Sequence, residues 1–493
     1  MNNIYQKIII AFSTISLCGC MVGPDFEKPT MESMPEKYSN KVDGKLLSDE
    51  TKPRKVSDEE LAKWWEVFGD KTLSALMEKA FKNNFDIATA SAKIKQARST
   101  LGITQSGFFP TLDVNGSFRE GGQIRESAST YSMGANASWE VDIFGGTRRG
   151  IESAVEDYKS ALVDKCAVKI AVASEVARTY FLYRSYEQEL IITRSNLQTQ
   201  RKTFEVTKQR RANGFESDID VVRASSQVEN TSSQIPRLES QMMLARHSLE
   251  LLLAVPTGSL KKELSTPQDL PELENFIPVG VPAQLVQRRP DVVMAEHKLH
   301  SAIAKIGEAT ADWYPKFSIT GQIGYTAPDI GKLDQNRYGT WSVGPTISWN
   351  IFQAGKTYFN VELRKAVAEE AGISWDKTVL TAIKEVEDSL VSASKERERI
   401  GYINKVVQSN KKAFELSSKL YTEGEIEFLD LLEAQRSMLT SQQSQVASRQ
   451  LFISHIISLY KSLGGGWDLK DLEDNDSDKK WLIFLDEKKN ENN

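Results

Sequence analysis

The chain is written twice. Gly107-Phe108-Phe109-Pro110-Thr111-Leu112 returns as Asp312-Trp313-Tyr314-Pro315-Lys316-Phe317, and Trp139-Glu140-Val141-Asp142-Ile143-Phe144 returns as Trp349-Asn350-Ile351-Phe352. Gly214, Asp220 and Ala224 return as Gly424, Asp430 and Ala434, all at an offset of 210. Three matches in one order mark an internal duplication. Any fold open to these 493 residues is therefore built from two copies of one unit: helix, strand pair, long helix, tight turn, returning helix. The long helices are set by composition. No proline falls within 147–212 or 355–421, so each stretch has room for one helix of about 66 residues, ~100 Å at 1.5 Å per residue. Apolar residues recur along them at three- and four-residue steps, as in Ile170, Ala173, Ala177 and Phe181, or Leu380, Ile383, Val386, Leu390 and Ala393. That spacing suits close helix–helix packing, and also fits an extended coiled coil.

The strands carry a period of two. In Tyr131–Ile143 the odd positions are Tyr, Met, Ala, Ala, Trp, Val and Ile, and the even ones are polar or glycine. Trp341–Ile351 alternates likewise, as do Leu112–Phe118 and Phe317–Tyr325. Such a sheet has one apolar and one polar face. It either covers a water-soluble core or stands in an outer membrane with its apolar face to lipid. Four strands cannot close a barrel, and an open edge in lipid strands backbone polar groups without partners. A membrane location therefore requires several chains to share one barrel, without fixing how many. Pro345 argues against a fully paired central strand.

The shorter segments 71–106, 218–254, 282–312 and 427–463 read as returning helices, stacked in pairs to match the long ones, with a bend expected at Pro236. Pro256, Pro267, Pro271 and Pro278, with Gly258 and Gly280, mark 256–281 as a linker. The expected organisation is a signal peptide over 1–19, an extended segment over 20–57, a first repeat over 58–255, the linker, a second repeat over 282–467 and a polar tail over 468–493. Within that tail Trp481–Leu485 forms an apolar patch.

The N-terminus supplies the address. Lys7, the apolar run Ile8–Leu17 and Gly19 precede Cys20, the pattern of a secretory signal ending in a lipoprotein cleavage box. Cys20 is then the lipidation site, the lipid being the only covalent group expected. Met21 in place of an aspartate favours outer-membrane sorting. Cys18 leaves with the signal, so Cys166 has no disulfide partner. A net charge of −5 without a basic block excludes a nucleic-acid surface. No phosphate loop, nucleophile elbow or paired-carboxylate motif points to an enzyme. His297 and His300 share a helix face, but nothing nearby completes a metal set.

Taken together, these residues resemble the TolC-like outer membrane factors, in particular their OprM/NodT-type efflux lipoproteins. The resemblance rests on Cys20 to Pro29, on Trp64-Trp65 with Phe68, Asp70 and Leu73, on Arg288-Arg289-Pro290-Asp291-Val292 with Ala295-Glu296, Ile306-Gly307 and Trp313-Tyr314-Pro315, and on Val343 to Trp349. It covers residues 20 to about 467. It implies a mostly helical α+β fold in which three chains form a 12-stranded β-barrel and a 12-helix periplasmic tunnel, with a small equatorial region between. It implies a homotrimer in outer-membrane lipid, serving a periplasmic adaptor and an inner-membrane efflux pump. A duct for type I protein secretion is the alternative, and a non-transporting coiled-coil scaffold a more remote one.

The resemblance also assigns the tips. Asn213, Gly214 and Phe215, and Glu423, Gly424 and Glu425, would touch the adaptor. Asp220, Asp430, Glu433 and Tyr421 would gate the periplasmic mouth, although Ile426 stands where some relatives carry a basic gating residue. Asp220 also reads as part of a capping box with Ser217, whereas Glu427 is a poor N-cap, so capping explains Asp430 less well. Arg223 and Glu433 occupy equivalent repeat positions with opposite charge, and are expected to pair between neighbouring helix pairs.

Overall fold

The computed structural model describes residues 21–30, 58–123, 126–272 and 288–472. The signal peptide, Cys20, most of the extended segment, the end of the linker and the Trp481–Leu485 patch lie outside the described residues.

Each repeat runs as its sequence requires. The first contains α1 (Asp58–Ala62), a 3-10 turn (Trp64–Phe68), α2 (Lys71–Asn83), α3 (Phe85–Ser106), β1 (Thr111–Gln123), β2 (Glu126–Val141), α4 (Gly146–Ala212) and α5 (Asp218–Leu252). The second contains α6 (Pro290–Ala311), β3 (Lys316–Ala327), β4 (Gly339–Ser348), α7 (Lys356–Glu423) and α8 (Phe428–Ser462). The two proline-free stretches are single helices of 67 and 68 residues.

Two details depart from expectation, and a third concerns Pro236. The segment 71–106 is two helices, not one. Asn84 ends α2 and caps α3 at once: its side chain accepts from the backbone N–H of Asp86 and Ile87 and donates to the Leu252 carbonyl at 2.8 Å. Conversely, α5 runs unbroken through Pro236. The proline lies exposed, while buried Thr231 and Leu238 hold the turns on either side. Strand β4 stops at Ser348 rather than Ile351, because Ser348 pairs with Lys316, the first residue of β3, and no partner lies beyond.

The sheet is an antiparallel meander, β1-β2-β3-β4, so its first and last strands are both edges. Pro345 sits on β4, the outer strand of the single chain's sheet, opposite Ile319. The register keeps like with like. Phe118 faces Tyr131, Ala135 faces Ile323, and Ile323 faces Trp341 on one side. On the other, Asn136 donates to Asn115 at 3.2 Å and Ser132 meets Thr326 at 3.3 Å. Among the described residues nothing covers the apolar side. Leu112 is 73%, Val343 69% and Trp341 76% exposed, which is incompatible with a sheet built over a water-soluble core. The duplication survives in the clamps that join sheet to helix: the Trp139 indole donates to the Phe108 carbonyl at 3.0 Å, and the Trp349 indole to the Trp313 carbonyl at 3.1 Å.

The largest apolar core lies where the helix segments meet end to end. Trp64 stacks on Tyr460 with ring centroids 5.4 Å apart, and Leu73, Leu76, Phe181, Leu249, Ile457 and linker residues Leu260, Leu264 and Leu270 close around them. Long helix α4 is internal to the chain, with 28 of its 67 residues buried. Its counterpart α7 buries only 10 of 68, leaving Phe359, Leu363, Ile373, Leu380 and Tyr402 exposed.

Where α6 crosses α4, both histidines meet carboxylates. His297 Nδ1 lies 2.6 Å from Glu156, and His300 Nε2 lies 2.9 Å from Glu152. Burial alone would lower the His300 pKa, but its bonds to Glu152 and Glu156 outweigh this and raise it to about 9. Burial likewise opposes ionisation of Glu156, yet His297, His300 and Lys159 hold it well below the usual carboxylate range. A raised pKa means that the His300 contribution to stability is complete below its unperturbed value of 6.5 and is lost as pH climbs through about 9. Thermal unfolding followed by helical circular dichroism is expected to show an alkaline loss of stability over that window, and His300→Gln is expected to abolish that part of the loss.

Candidate functional site

At the end of the long helices remote from the sheet, two hairpins turn on glycine. Gly214 (φ 80°) and Gly424 (φ 85°) take left-handed backbone that a side chain would strain. The turns close identically: Phe215 N–H donates to the Arg210 carbonyl and Glu425 N–H to the Leu420 carbonyl, both at 2.9 Å. Asn213, Gly214, Phe215, Glu423, Gly424 and Glu425 are all exposed there, Phe215 at 74%.

Beneath the tips a small core packs Ala224, Tyr421, Phe428, Leu431 and Leu432. Tyr421 joins the two hairpins. Its hydroxyl meets the Thr207 hydroxyl of α4 at 2.9 Å, and burial pushes its pKa up to about 12, so the phenol stays protonated. Arg210 completes the tie. It donates to the Tyr421 carbonyl at 2.9 Å and to Glu216 at 3.2 Å, with its guanidinium 4.9 Å from the centre of the Tyr421 ring. Farther from the tip, Gln435 donates to Thr203 at 2.8 Å and Arg436 to Gln227 at 2.9 Å, cross-linking α8 to α4 and α5.

The acidic residues divide. Ser217 caps α5 by accepting from the Asp220 N–H, and its hydroxyl bonds the Asp220 carboxylate. Arg223 lies 3.4 Å from the same carboxylate. Glu427 opens α8 without a side-chain cap. Asp430 is exposed and has no side-chain partner among the described residues, and Glu433 accepts only from Ser437, at 3.5 Å. The expected pairing of Arg223 with Glu433 is therefore not made within the chain: Arg223 turns to Asp220 one helical turn away, a far shorter reach than the next hairpin.

Sequence reasoning found Tyr421 but missed Arg210, Thr207 and Glu216. A signal existed. At the repeat offset of 210, Arg210 corresponds to Leu420 and Tyr421 to Arg211, so the tie is made where the two copies differ.

Tyr421→Phe removes one buried hydroxyl contact and is expected to cost about 1 kcal/mol of local stability, whereas Arg210→Ala loses a charge-assisted bond, a carbonyl bond and a ring contact, about 2 kcal/mol. Amide hydrogen exchange over residues 418–426 should speed up accordingly, more for Arg210→Ala.

The comparisons agree with this architecture. The family model for outer membrane efflux proteins matches residues 76–255 and 281–465. The chain is 31% identical over 466 residues to nodulation protein T of Rhizobium leguminosarum bv. viciae, covering 94% of each. It is 28% identical to the cation efflux system protein CusC of Escherichia coli, covering 94% of this chain and 99% of that one. Among solved structures, the outer-membrane channel OprN superposes with a TM-score of 0.82 at 29% identity, over 91% of this chain and 100% of that one. Matched in both halves of its duplication and along nearly its whole length, the chain belongs to the outer membrane efflux protein family.

Proposed function

We infer that the chain works as a homotrimer, three copies sharing one β-barrel and one helical tunnel, docked through its hairpin tips to a periplasmic adaptor and an inner-membrane pump. The protein is an outer-membrane efflux channel whose helices extend into the periplasm. We take conduction to be passive, with no chemical step of its own, and the lipid on Cys20 as a second hold on the membrane. One observation carries the oligomer: a four-stranded sheet with an apolar outer face and two unpaired edges. The exposed apolar side of α7 supports it independently.

Relatives bearing the names cation efflux system protein CusC and solvent efflux pump outer membrane protein SrpC match this chain equally well along their length. Such different names on one scaffold favour a duct whose cargo is chosen by the pump. At the tips, the Tyr421–Arg210 tie holds each chain's hairpins together, and Asp430 and Glu433 are among the exposed acidic groups, with Glu425 and Glu427, that can face neighbouring copies. We assign gating to this set, with Asp220 and Arg223 acting mainly through the cap of α5.

Single-channel recording in planar bilayers tests the reading. The parent protein is expected to open rarely, and Arg210→Ala to raise the mean conductance. A protein that never conducts, even with this tie removed, would instead be a scaffold. Leu380, 56% exposed in the single chain, supplies a second test. On a monomer surface, Leu380→Glu should change stability by less than about 0.5 kcal/mol. Between copies it should abolish the trimer on size exclusion and chemical cross-linking.

A further inference from the structure

Residues 21–28 precede both repeats, yet they are seated on the junction where β2 passes into α4. Val22 donates its N–H to the Phe144 carbonyl at 3.1 Å. Arg149, in the first turn of α4 and 1% exposed, turns back onto the segment. Its Nε donates to the Val22 carbonyl at 3.2 Å, and its Nη2 to the Gly23 carbonyl at 3.4 Å and the Asp25 carboxylate at 2.6 Å. Its Nη1 is held by Glu152 at 2.8 Å. Phe26 stacks on the His300 ring, centroids 4.1 Å apart and planes 10° from parallel, and Lys28 reaches Glu296 at 3.1 Å.

Three glycines are cleared for this approach. A Cβ on Gly23 would lie 2.3 Å from Gly307 Cα, one on Gly307 2.7 Å from the Val22 carbonyl oxygen, and one on Gly145 2.5 Å from Met21 Cγ. They sit on the segment itself, on α6 and on the turn into α4. A buried guanidinium aimed at two backbone carbonyls and a carboxylate, opposite glycines that admit the same backbone, is a receptor shaped for one strap.

We propose that the α4–α6 crossing is a docking site for the chain's own N-terminal strap, with Arg149 as its positioning residue, and that seating the strap fixes the lipid anchor in register with the foot of the barrel. A single acyl anchor on a free tether restrains a protein weakly. Seated, any group on the residue before Met21 is one peptide unit, ~3.8 Å, from a rigid junction. The role of the seat as an anchor mount rests on the reading of Cys20 as lipid-bearing; the seat itself does not.

The test is cleavage after Glu27 by a Glu-specific protease, on the full-length protein in reconstituted vesicles, with cleavage at the exposed tip residue Glu425 as internal reference. Opening of the strap sets the rate. Arg149→Gln is expected to speed the Glu27 cut about tenfold with the Glu425 cut unchanged. Arg149→Lys, which keeps the charge for Asp25 but not the fork for the carbonyls, should fall between. Asp25→Ala, altering an exposed side chain, should speed it without risk to Arg149's own helix, and Gly307→Ala, whose Cβ would press on the Val22 carbonyl and the Arg149 side chain together, should speed it as well. Parental rates at Glu27 in Arg149→Gln, Asp25→Ala and Gly307→Ala alike overturn the proposal. In Cys20→Ser the strap should stay as protected as in the parent, and faster cleavage there overturns a seat that holds by itself. Mass spectrometry of the mature parent chain separately reports the acyl group, whose absence sinks the lipid reading and leaves the seat standing.

Discussion

A four-stranded meander with its apolar face toward lipid leaves two ladders of backbone N–H and C=O groups without partners, one along β1 and one along β4. Water cannot satisfy them at that depth, and each unpaired group costs several kcal/mol in hydrocarbon. No rearrangement within the chain removes the problem, because the antiparallel order places the first and last strands at opposite ends of the sheet. Rotation of identical copies about an axis does remove it, setting β4 of one beside β1 of the next. The rest of the molecule accords with that closure. The short β1–β2 connection, with Gln123 paired to Glu126, keeps one end of the sheet compact. The indole clamps of Trp139 and Trp349 fix the other end to the helices at two repeat-equivalent points.

The helices meet the same demand in another form. A helix of 67 residues is far longer than any globular core can cover, so it must be flanked along its whole length. For α4 the flanks come from the same chain: α5 and α6 run beside it, with α3 and α8 adding further cover. Many of its buried positions are Ala, Ser, Thr or Asn, which lets neighbours approach closely at little loss of side-chain entropy. For α7 the chain supplies less, and the uncovered stripe from Phe359 to Tyr402 is apolar. Sheet and helix thus end at incomplete surfaces on the same kind of boundary, one lacking hydrogen-bond partners and the other lacking apolar cover.

What could be read in advance follows from the range of the interactions. Alternation along Tyr131–Ile143 is a local property, and the register carries it from Tyr131 to Val141, where β2 ends two residues early. The proline-free stretches fixed the long helices to within two residues at either end. The failures are long-range. Whether 71–106 breaks depends on the Leu252 carbonyl waiting for Asn84. Where β4 ends depends on where β3 begins. The roles of Arg210 and Arg149 depend on partners 211 and 124–127 residues away, and periodicity carries no trace of them.

The duplication nonetheless contains a usable rule. Features that build the frame obey the repeat: Gly214 and Gly424 at the tips, Trp139 and Trp349 at the sheet. Features that tie one part of the frame to another break it, since Arg210 answers to Leu420, Tyr421 to Arg211, and Arg149 to Phe359. The physical reason is that a tie needs unlike partners. Two identical copies of an arginine facing each other would repel, whereas an arginine in one copy facing a tyrosine in the other gains a hydrogen bond and a ring contact. The hairpins of one chain are consequently joined near their tips by an arginine of the first repeat, and farther along by Gln435 and Arg436 of the second, each bonding an unlike partner. Asp430 and Glu433, on the second hairpin, are exposed and take no part in the Tyr421–Arg210 tie.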